Sequence, residues 1–220
     1  MPVNVDQYTS IQKRLQESGA TLIAVSKTKP IEDILALYKL GQRDFGENYV
    51  QELVEKQAQL PSDIRWHFIG HLQRNKVKYI APFVHLIHGV DSVSLLKEIN
   101  KEASKNSRTI DCLLQGYIAS EESKFGFDFD ELKQAMATLP ELSGVNVVGL
   151  MGMASFSSDK LIIEKEFKQL CNWRNELKNE QYTLPTLSMG MSSDYEIALA
   201  QGSNMVRIGS MLFGAREKRS

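Results

Sequence analysis

The feature of this sequence that most limits its fold is the alternation of short apolar runs with longer amphipathic segments. Strands alternating with helices of about 10–15 residues indicate parallel βαβ units, and runs that are apolar on both faces suit a parallel sheet covered by helices. Eight such units predict a closed (β/α)₈ barrel, with an open doubly wound sheet as the alternative. The candidate strands are 21–26, 43–48, 65–70, 84–90, 111–118, 146–153, 186–191 and 205–210.

One further helix is predicted before the first strand. The amphipathic segment Asp6 to Glu17 is followed by Ser18-Gly19, a typical helix stop. No Pro/Gly/Ser-rich linker and no low-complexity tract interrupts the pattern. The whole chain, residues 1–220, is therefore predicted to be a single domain with an extra N-terminal helix.

Composition excludes several classes of partner and location. The formal net charge is −1, which gives no electrostatic reason to expect nucleic acid or an anionic membrane surface; the basic ending 216–219 is typical of a solvated tail. No run of about 18 apolar residues occurs, and the N-terminal residues lack the pattern of a secretory signal. Cys112 and Cys171 have neither metal nor redox spacing. These features favour a cytoplasmic protein with reduced thiols.

Two neighbouring strand ends are suited to binding an anion. Chemistry in such barrels lies at the C-terminal ends of the strands, and the loops after strands seven and eight often hold phosphate. After strand seven, Ser193 and Glu196 have capping-box spacing, which predicts a helix with unpaired N–H groups at its start. After strand eight, Gly209 lets the backbone approach a ligand and Ser210 adds a hydroxyl. A purely structural role is the alternative for each of these residues.

A lysine follows the first strand. Along LIAVSK the residues Ile23, Val25 and Lys27 share one face. A lysine at a strand end commonly snorkels to water, but a partly desolvated amine at a barrel mouth can attack a carbonyl group. Lys29 has the same parity but lies directly before Pro30, so we expect it to turn into the loop.

A reactive lysine and a phosphate site together indicate pyridoxal 5′-phosphate (PLP), which needs an amine for its aldehyde and donors for its phosphate. The pyridine nitrogen needs a partner as well, and Arg207 on strand eight is the candidate. A structural ion pair is the alternative for this arginine. Because arginine cannot accept a proton, it would keep the ring nitrogen unprotonated, and a neutral ring is a poorer sink for carbanion charge.

The sequence resembles the pyridoxal phosphate homeostasis proteins, relatives of the N-terminal barrel of alanine racemase. The matching segments occur from one end of the chain to the other, and jointly they are highly specific. They are LIAVSKTKP, FGENYVQE, WHFIGHLQRNK, SKFGF, GLMGM, LSMGMSSDYEIALAQGSNMVRIGS and LFGAR.

The resemblance implies a role for each candidate residue. Lys27 would form the covalent aldimine with PLP, and Arg207 would face the pyridine nitrogen. Asn48 would lie near the cofactor ring, and Met151 would line the same pocket. The residues that would hold the phosphate are Ser192, Ser193, Gly209 and Ser210. The chain departs from the family at strand five, where Gly116-Tyr117 follows Gln115 in place of a segment that usually reads QVN, which puts that part of the pocket in doubt.

The preferred function is non-catalytic: the protein binds PLP and balances intracellular vitamin B6 and amino-acid pools. Apo-enzymes that receive PLP from it are among the expected partners. Racemases of the related family use a second base from an additional β domain, and the chain ends at Ser220, soon after the last strand. Proton removal on one face cannot give an efficient two-base racemase. No catalytic residue is therefore assigned. The missing β domain also removes that family's route to a dimer, so a monomer is expected. The alternatives are a PLP-dependent racemase or related enzyme, and a barrel enzyme acting on a phosphorylated metabolite.

No metal site is predicted. His67 and His71 are four residues apart on a strand, about 13 Å at ~3.3 Å per residue, too far to share a metal. His85 and His88 are expected to point to opposite faces of an extended run. No metal-binding or paired-carboxylate motif occurs.

Overall fold

The computed structural model describes residues 3–120 and 125–214; the tail at 216–219 and part of SKFGF lie outside this range. Its eight strands form a closed barrel in the order β1 to β8, and every neighbouring pair is parallel. The predicted barrel is confirmed, and the open sheet is wrong. The strands are β1 (Thr21–Val25), β2 (Asp44–Glu47), β3 (Arg65–Phe68), β4 (Leu86–Val90), β5 (Ile110–Gln115), β6 (Val145–Met151), β7 (Thr186–Ser188) and β8 (Met205–Ile208).

Helices follow the strands around the outside of the barrel. The predicted N-terminal helix is present as α1, where the Asn4 side chain accepts from the N–H of Gln7 and Gly19 ends the helix at φ 66°. Among described helices, none is both long and apolar enough to cross a membrane. The helices are α1 (Val5–Ser18), α2 (Ile31–Lys39), α3 (Val50–Gln57), α4 (Val77–Ile80), α5 (Val93–Lys105), α6 (Phe129–Thr138), α7 (Lys160–Leu177), α8 (Tyr195–Ala200) and α9 (Ser210–Phe213), with 3₁₀ turns at Arg74–Lys76 and Leu139–Glu141.

The apolar core is divided by the barrel wall. Outward-facing strand residues such as Leu22 and Ala24 belong to the large cluster between sheet and helices, as parallel strands covered by helices require. Inside the barrel, Leu86, Leu113 and Met151 form a separate small cluster. Much of the remaining interior is polar, and the buried polar side chains there are central to the candidate site.

The capping box predicted at Ser193 is wrong. Helix α8 begins two residues later, with Asp194 as its N-cap residue and no side-chain capping bond. The carboxylate of Asp194 instead turns back and accepts from the N–H of Met191 at 2.6 Å. A local aspartate–backbone turn therefore competes successfully with the box, and Ser193 remains exposed in the loop.

Candidate functional site

Lys27 lies just beyond the end of β1, in a segment whose backbone is held on both sides. Before it, the N–H of Ser26 donates to the carbonyl of Gly46 at 3.0 Å. After it, Thr28 has φ 63°, and its N–H donates to the Glu52 carboxylate at 2.6 Å. A threonine with positive φ is strained, and such strain persists only where surrounding contacts impose it. The half-buried Lys27 is thus presented from a fixed backbone.

A buried ion pair between Glu47 and Lys56 supports the segment that carries Lys27. The motif GENYVQE contains Glu47 but gave no sign of this pair. Glu47 accepts from the Ser26 hydroxyl at 2.6 Å and from Lys56 Nζ at 2.7 Å, and Lys56 also donates to the Ser26 carbonyl at 2.7 Å. Burial raises the pKa of Glu47 to about 6 although Lys56 acts to lower it. The other oxygen of Glu47 has no partner among the described residues. The pair ties the end of β1 to α3.

Lys29 turns away into the loop, as its position before Pro30 predicts. Its Nζ donates to the carbonyl oxygens of Phe213 at 2.8 Å and of Gly214 at 3.4 Å. These oxygens lie at the end of α9, so the amine of Lys29 joins the loop after β1 to the chain beyond β8. That contact gives Lys29 a structural role.

The loops after β7 and β8 are bonded to each other. The N–H of Arg207 donates to the carbonyl of Gly190 at 3.0 Å, and the N–H of Gly209 donates to the Ser192 hydroxyl at 3.3 Å. A Cβ on Gly209 would lie 3.3 Å from the Cβ and carbonyl oxygen of Val25. The ends of β1, β7 and β8 therefore meet at one mouth of the barrel, and glycine permits their close approach.

Backbone donors are open at this mouth. Within the described part of the chain, no acceptor contacts the N–H groups of Ser192, Ser193 or Ser210. Helices α8 and α9 have only six and four residues, so their dipoles add little. The capacity to bind an anion comes from the unpaired N–H groups and from the neighbouring serine hydroxyls.

Arg207 is buried inside the barrel, 4% exposed. Its Nη1 donates to the carbonyl of Ser188 at 2.8 Å and to the Ser188 hydroxyl at 2.7 Å, and Nη2 donates to the carbonyl of Gly152 at 3.0 Å. Burial lowers the pKa of Arg207 to about 10, with the charge of Asp194 opposing the shift. The guanidinium is therefore cationic at neutral pH and fixed in orientation by neighbouring strand ends.

Two histidines that were considered only for metal binding prove to be part of a polar chain. This chain runs through the barrel from Arg207 to Ser188, His88, His67 and Asp44. The Ser188 oxygen lies 3.1 Å from His88 Nδ1, and His88 Nε2 lies 3.0 Å from His67 Nδ1. His67 Nε2 lies 3.0 Å from the Asp44 carboxylate. Alternation along one strand could not reveal these contacts, because they join β2, β3, β4, β7 and β8.

Asp44, the acidic end of this polar chain, lies at the N-terminal mouth of the barrel. Arg65 donates to both oxygens of Asp44. Burial alone would raise the pKa of Asp44, but bonds from His67 and Arg65 outweigh it and lower the pKa to about 2. His85 lies here too, its ring centroid 5.3 Å from that of His67, so the expectation that His85 and His88 diverge fails: both contact His67.

The grouping at this mouth has the residue types of a metal site. Ligand atoms of Asp44, His67 and His85 lie within 4.8 Å of one another. Arg65 and His67 nevertheless occupy the Asp44 oxygens, and a cation would have to displace them. The absence of a metal remains a prediction.

The remaining predicted residues lie around the C-terminal mouth. Asn48 follows β2, and its buried side-chain oxygen has no partner among the described residues. The cavity of about 780 Å³ that Asn48 borders lies along α3, and neither Lys27 nor Arg207 lines it. Met151 ends β6 and packs inside the barrel with Leu86 and Leu113. At the departure in β5, a Cβ on Gly116 would meet Leu170 of α7 at 2.7 Å. Gly116 therefore faces the helices, and Tyr117 has the opposite, inward parity.

Comparison with known proteins agrees with this geometry. The family described as "Alanine racemase, N-terminal domain" matches residues 5–217. The "Pyridoxal phosphate homeostasis protein" of Aquifex aeolicus (strain VF5) is 41% identical over 214 residues, covering 94% of each chain. The protein of that name from Pasteurella multocida (strain Pm70) is 38% identical, covering 96% of this chain and 93% of its own.

A solved structure gives the same result. PipY of Synechococcus elongatus PCC7942 is 36% identical and was solved without PLP and with PLP bound, with TM-scores of 0.90 and 0.88; each match covers 95% of this chain and 99% of PipY. The sequence identity, the coverage and the closed barrel agree with the predicted resemblance. The chain belongs to the pyridoxal phosphate homeostasis protein family, whose barrel is that of the alanine racemase N-terminal domain.

Proposed function

We propose that this protein binds PLP at the C-terminal mouth of the barrel, linked covalently through Lys27, and serves as a non-catalytic carrier and regulator of the cofactor. The observation that carries the proposal is the contact of Gly209 with Val25. It brings the strand that presents the amine beside the loops that present phosphate donors. The relative PipY, solved with PLP bound, supports the same cofactor.

The chemistry of the mouth fits a phosphorylated aromatic aldehyde. Lys27 would supply the amine for the aldehyde group of the cofactor. The phosphate would be held by N–H groups and hydroxyls that face the same opening. Asn48 and Met151 would border the ring. The residues assigned to the phosphate are Ser192, Ser193, Gly209 and Ser210.

The presence of Arg207 favours a carrier function over an enzymatic one. PLP, when bound, supplies an electron sink for carbanions, and this sink is strongest with a protonated ring nitrogen. A guanidinium has only donors, so a ring nitrogen placed against Arg207 would have to stay unprotonated to accept from it. The protein thereby orients the ring without activating it fully, which favours retention and transfer over turnover.

The regulatory role includes partners and a location. We place the protein in the cytoplasm, where it acts as a monomer and delivers PLP to apo-enzymes without binding nucleic acid or membrane. The names of the relatives support a role in homeostasis. Light scattering with size-exclusion chromatography tests the monomer, and activation of a cofactor-free PLP enzyme by the loaded protein tests delivery.

The decisive experiment is an absorbance spectrum of the PLP-loaded protein before and after borohydride, with mass spectrometry to locate the reduced adduct. The expected result is a band near the violet edge and an adduct on the peptide containing Lys27. A band with the adduct elsewhere would refute the choice of lysine. No band at all would favour a barrel enzyme for a phosphorylated metabolite, and rapid interconversion of L- and D-amino acids would favour a racemase.

A further inference from the structure

The polar chain formed by Asp44, His67, His88, Ser188 and Arg207 crosses the barrel from one mouth towards the other. Asp44 is the first residue of β2 at the N-terminal end, whereas Arg207 is the third residue of β8, near the C-terminal end. The two histidines are at most 1% exposed, and Ser188 is fully buried. Every link lies between 2.7 and 3.1 Å.

The direction of every hydrogen bond follows from the two ends. A guanidinium only donates, so the Ser188 oxygen accepts from Arg207. A carboxylate only accepts, so Nε2–H of His67 donates to Asp44. Burial lowers the pKa of His67 and of His88, so both rings are neutral and each carries one N–H. His67 Nδ1 then accepts from His88 Nε2–H, and His88 Nδ1 accepts from the Ser188 hydroxyl.

The reverse direction is excluded by the charge of Asp44. It would point the lone pair of His67 Nε2 at a carboxylate oxygen 3.0 Å away, and it would turn the Ser188 hydroxyl proton away from His88. With a cation at one end and an anion at the other, all donors in the deduced direction polarise one another favourably. Only one arrangement of protons therefore satisfies the chain.

We propose that Asp44, His67, His88 and Ser188 are positioning residues for the cofactor, because they act together with the carbonyls of Ser188 and Gly152 to hold the plane of the Arg207 guanidinium, which would face the ring nitrogen. This inference rests on the proposed function. It assigns a role at the cofactor to Asp44, a residue at the opposite mouth, in a cavity of about 340 Å³ that Arg65 and His85 also line. Groups that orient metal ligands alter metal affinity by about tenfold or more, and we expect an effect of the same order for groups that orient Arg207.

The proton arrangement can be measured without cofactor. The protein contains only four histidines. Two-bond ¹H–¹⁵N spectra of ¹⁵N-histidine-labelled protein, recorded in buffer with a chelator, therefore resolve each ring. We expect His67 and His88 as single Nε2–H tautomers at pH 7.5. Asp44→Asn removes the anion that sets the direction, so both rings should become tautomer mixtures. Ser188→Ala should leave both tautomers unchanged, because Asp44 still sets them, and should shift only the Nδ1 signal of His88.

Release of PLP tests the effect on Arg207. Asp44→Asn and Ser188→Ala should each release PLP about tenfold faster than the unaltered protein. Ser203→Ala is the matched control, because this buried hydroxyl donates to carbonyls of the same region, including that of Met189 at 2.7 Å, but lies outside the chain. Ser203→Ala should change neither the tautomers nor the release rate. Urea unfolding of each variant confirms that it is folded.

The possible outcomes separate the two proposals. Nδ1–H or mixed tautomers in the unaltered protein would overturn the deduced chain. Faster release of PLP in Ser188→Ala but not in Asp44→Asn would show that Asp44 does not affect the orientation of Arg207. Equally fast release in Ser203→Ala would show that the polar chain contributes only to general stability. A protein that takes up no PLP would overturn the proposed function together with the effect on release, whatever the tautomers.

Discussion

The amine of Lys29 donates to the carbonyl oxygen of Phe213 at 2.8 Å, which joins the loop after β1 to the end of α9. Lys27, two residues earlier, follows the strand whose last residue, Val25, lies against Gly209. Two lysines of the same parity therefore have different tasks. Lys29 ties the loop after β1 to the end of α9, and Lys27 is the candidate for the reactive amine.

Replacing these two lysines in parallel should separate their roles. Lys27→Ala should remove the violet absorbance of the PLP-loaded protein, because no amine remains to bind the aldehyde, while the urea midpoint stays close to its original value. Lys29→Ala should keep the absorbance but lose about 2 kcal/mol of unfolding free energy, because a hydrogen bond from a charged group is lost. Absorbance that survives in Lys27→Ala and vanishes in Lys29→Ala would reverse the assignment.

Replacing Arg207 should weaken retention of PLP without preventing its covalent attachment. Arg207→Ala removes the donors that would face the ring nitrogen, and it takes from the carbonyl of Gly152 its donor at 3.0 Å, so the protein should also be less stable. The carbonyl of Ser188 still accepts from the N–H of Gly152 at 3.1 Å. Arg207→Lys keeps the charge with a single ammonium group, and its effect should be smaller. PLP remaining after dialysis gives the retention, and borohydride trapping gives the covalent fraction. Unchanged retention in both variants would contradict the proposed contact.

Gly209→Ala should damage phosphate binding selectively. The added Cβ would lie 3.3 Å from Val25 atoms, so the loop after β8 must shift while φ, at −123°, imposes no strain. We expect PLP binding to weaken by about 1 kcal/mol, roughly fivefold in Kd. Pyridoxal, which lacks the phosphate, is the internal control, and its Kd should not change. Equal losses for the two ligands would indicate that the loop does not hold phosphate.

Glu47→Gln should change how stability depends on pH. The pKa of Glu47 is about 6 in the folded protein against the ordinary 4.5. The folded chain therefore binds more protons between these values, and this group makes stability fall as pH rises through that window. A difference of about 1.5 units corresponds to about 2 kcal/mol.

Glutamine cannot titrate, so the variant does not lose this stability as the pH rises. The unfolding free energy of the variant minus that of the original protein should therefore be about 2 kcal/mol larger at pH 7.5 than at pH 4. Urea unfolding at both pH values measures this change, and comparison with the original protein cancels the contributions of the other titrating groups. A difference that stays constant with pH would mean that Glu47 has an ordinary pKa in the folded state.

The sequence determined the class of fold and the order of its elements. Segments that are apolar on both faces bury both of them in a parallel sheet covered by helices. All eight strands were therefore predicted near their observed positions, and β1 begins at the predicted Thr21. Local signals also identified the end of α1 at Gly19 and the turn of Lys29 before Pro30. These features depend on neighbours along the chain.

The tertiary structure decided which distant side chains meet. Barrel closure places β8 beside β1, which brings Gly209 against Val25, and it places His67 between His88 and Asp44. No periodicity in one segment encodes contacts among several strands. The same limit explains the error at Ser193: Asp194 reached the N–H of Met191, a competing bond whose outcome depends on how the whole loop packs.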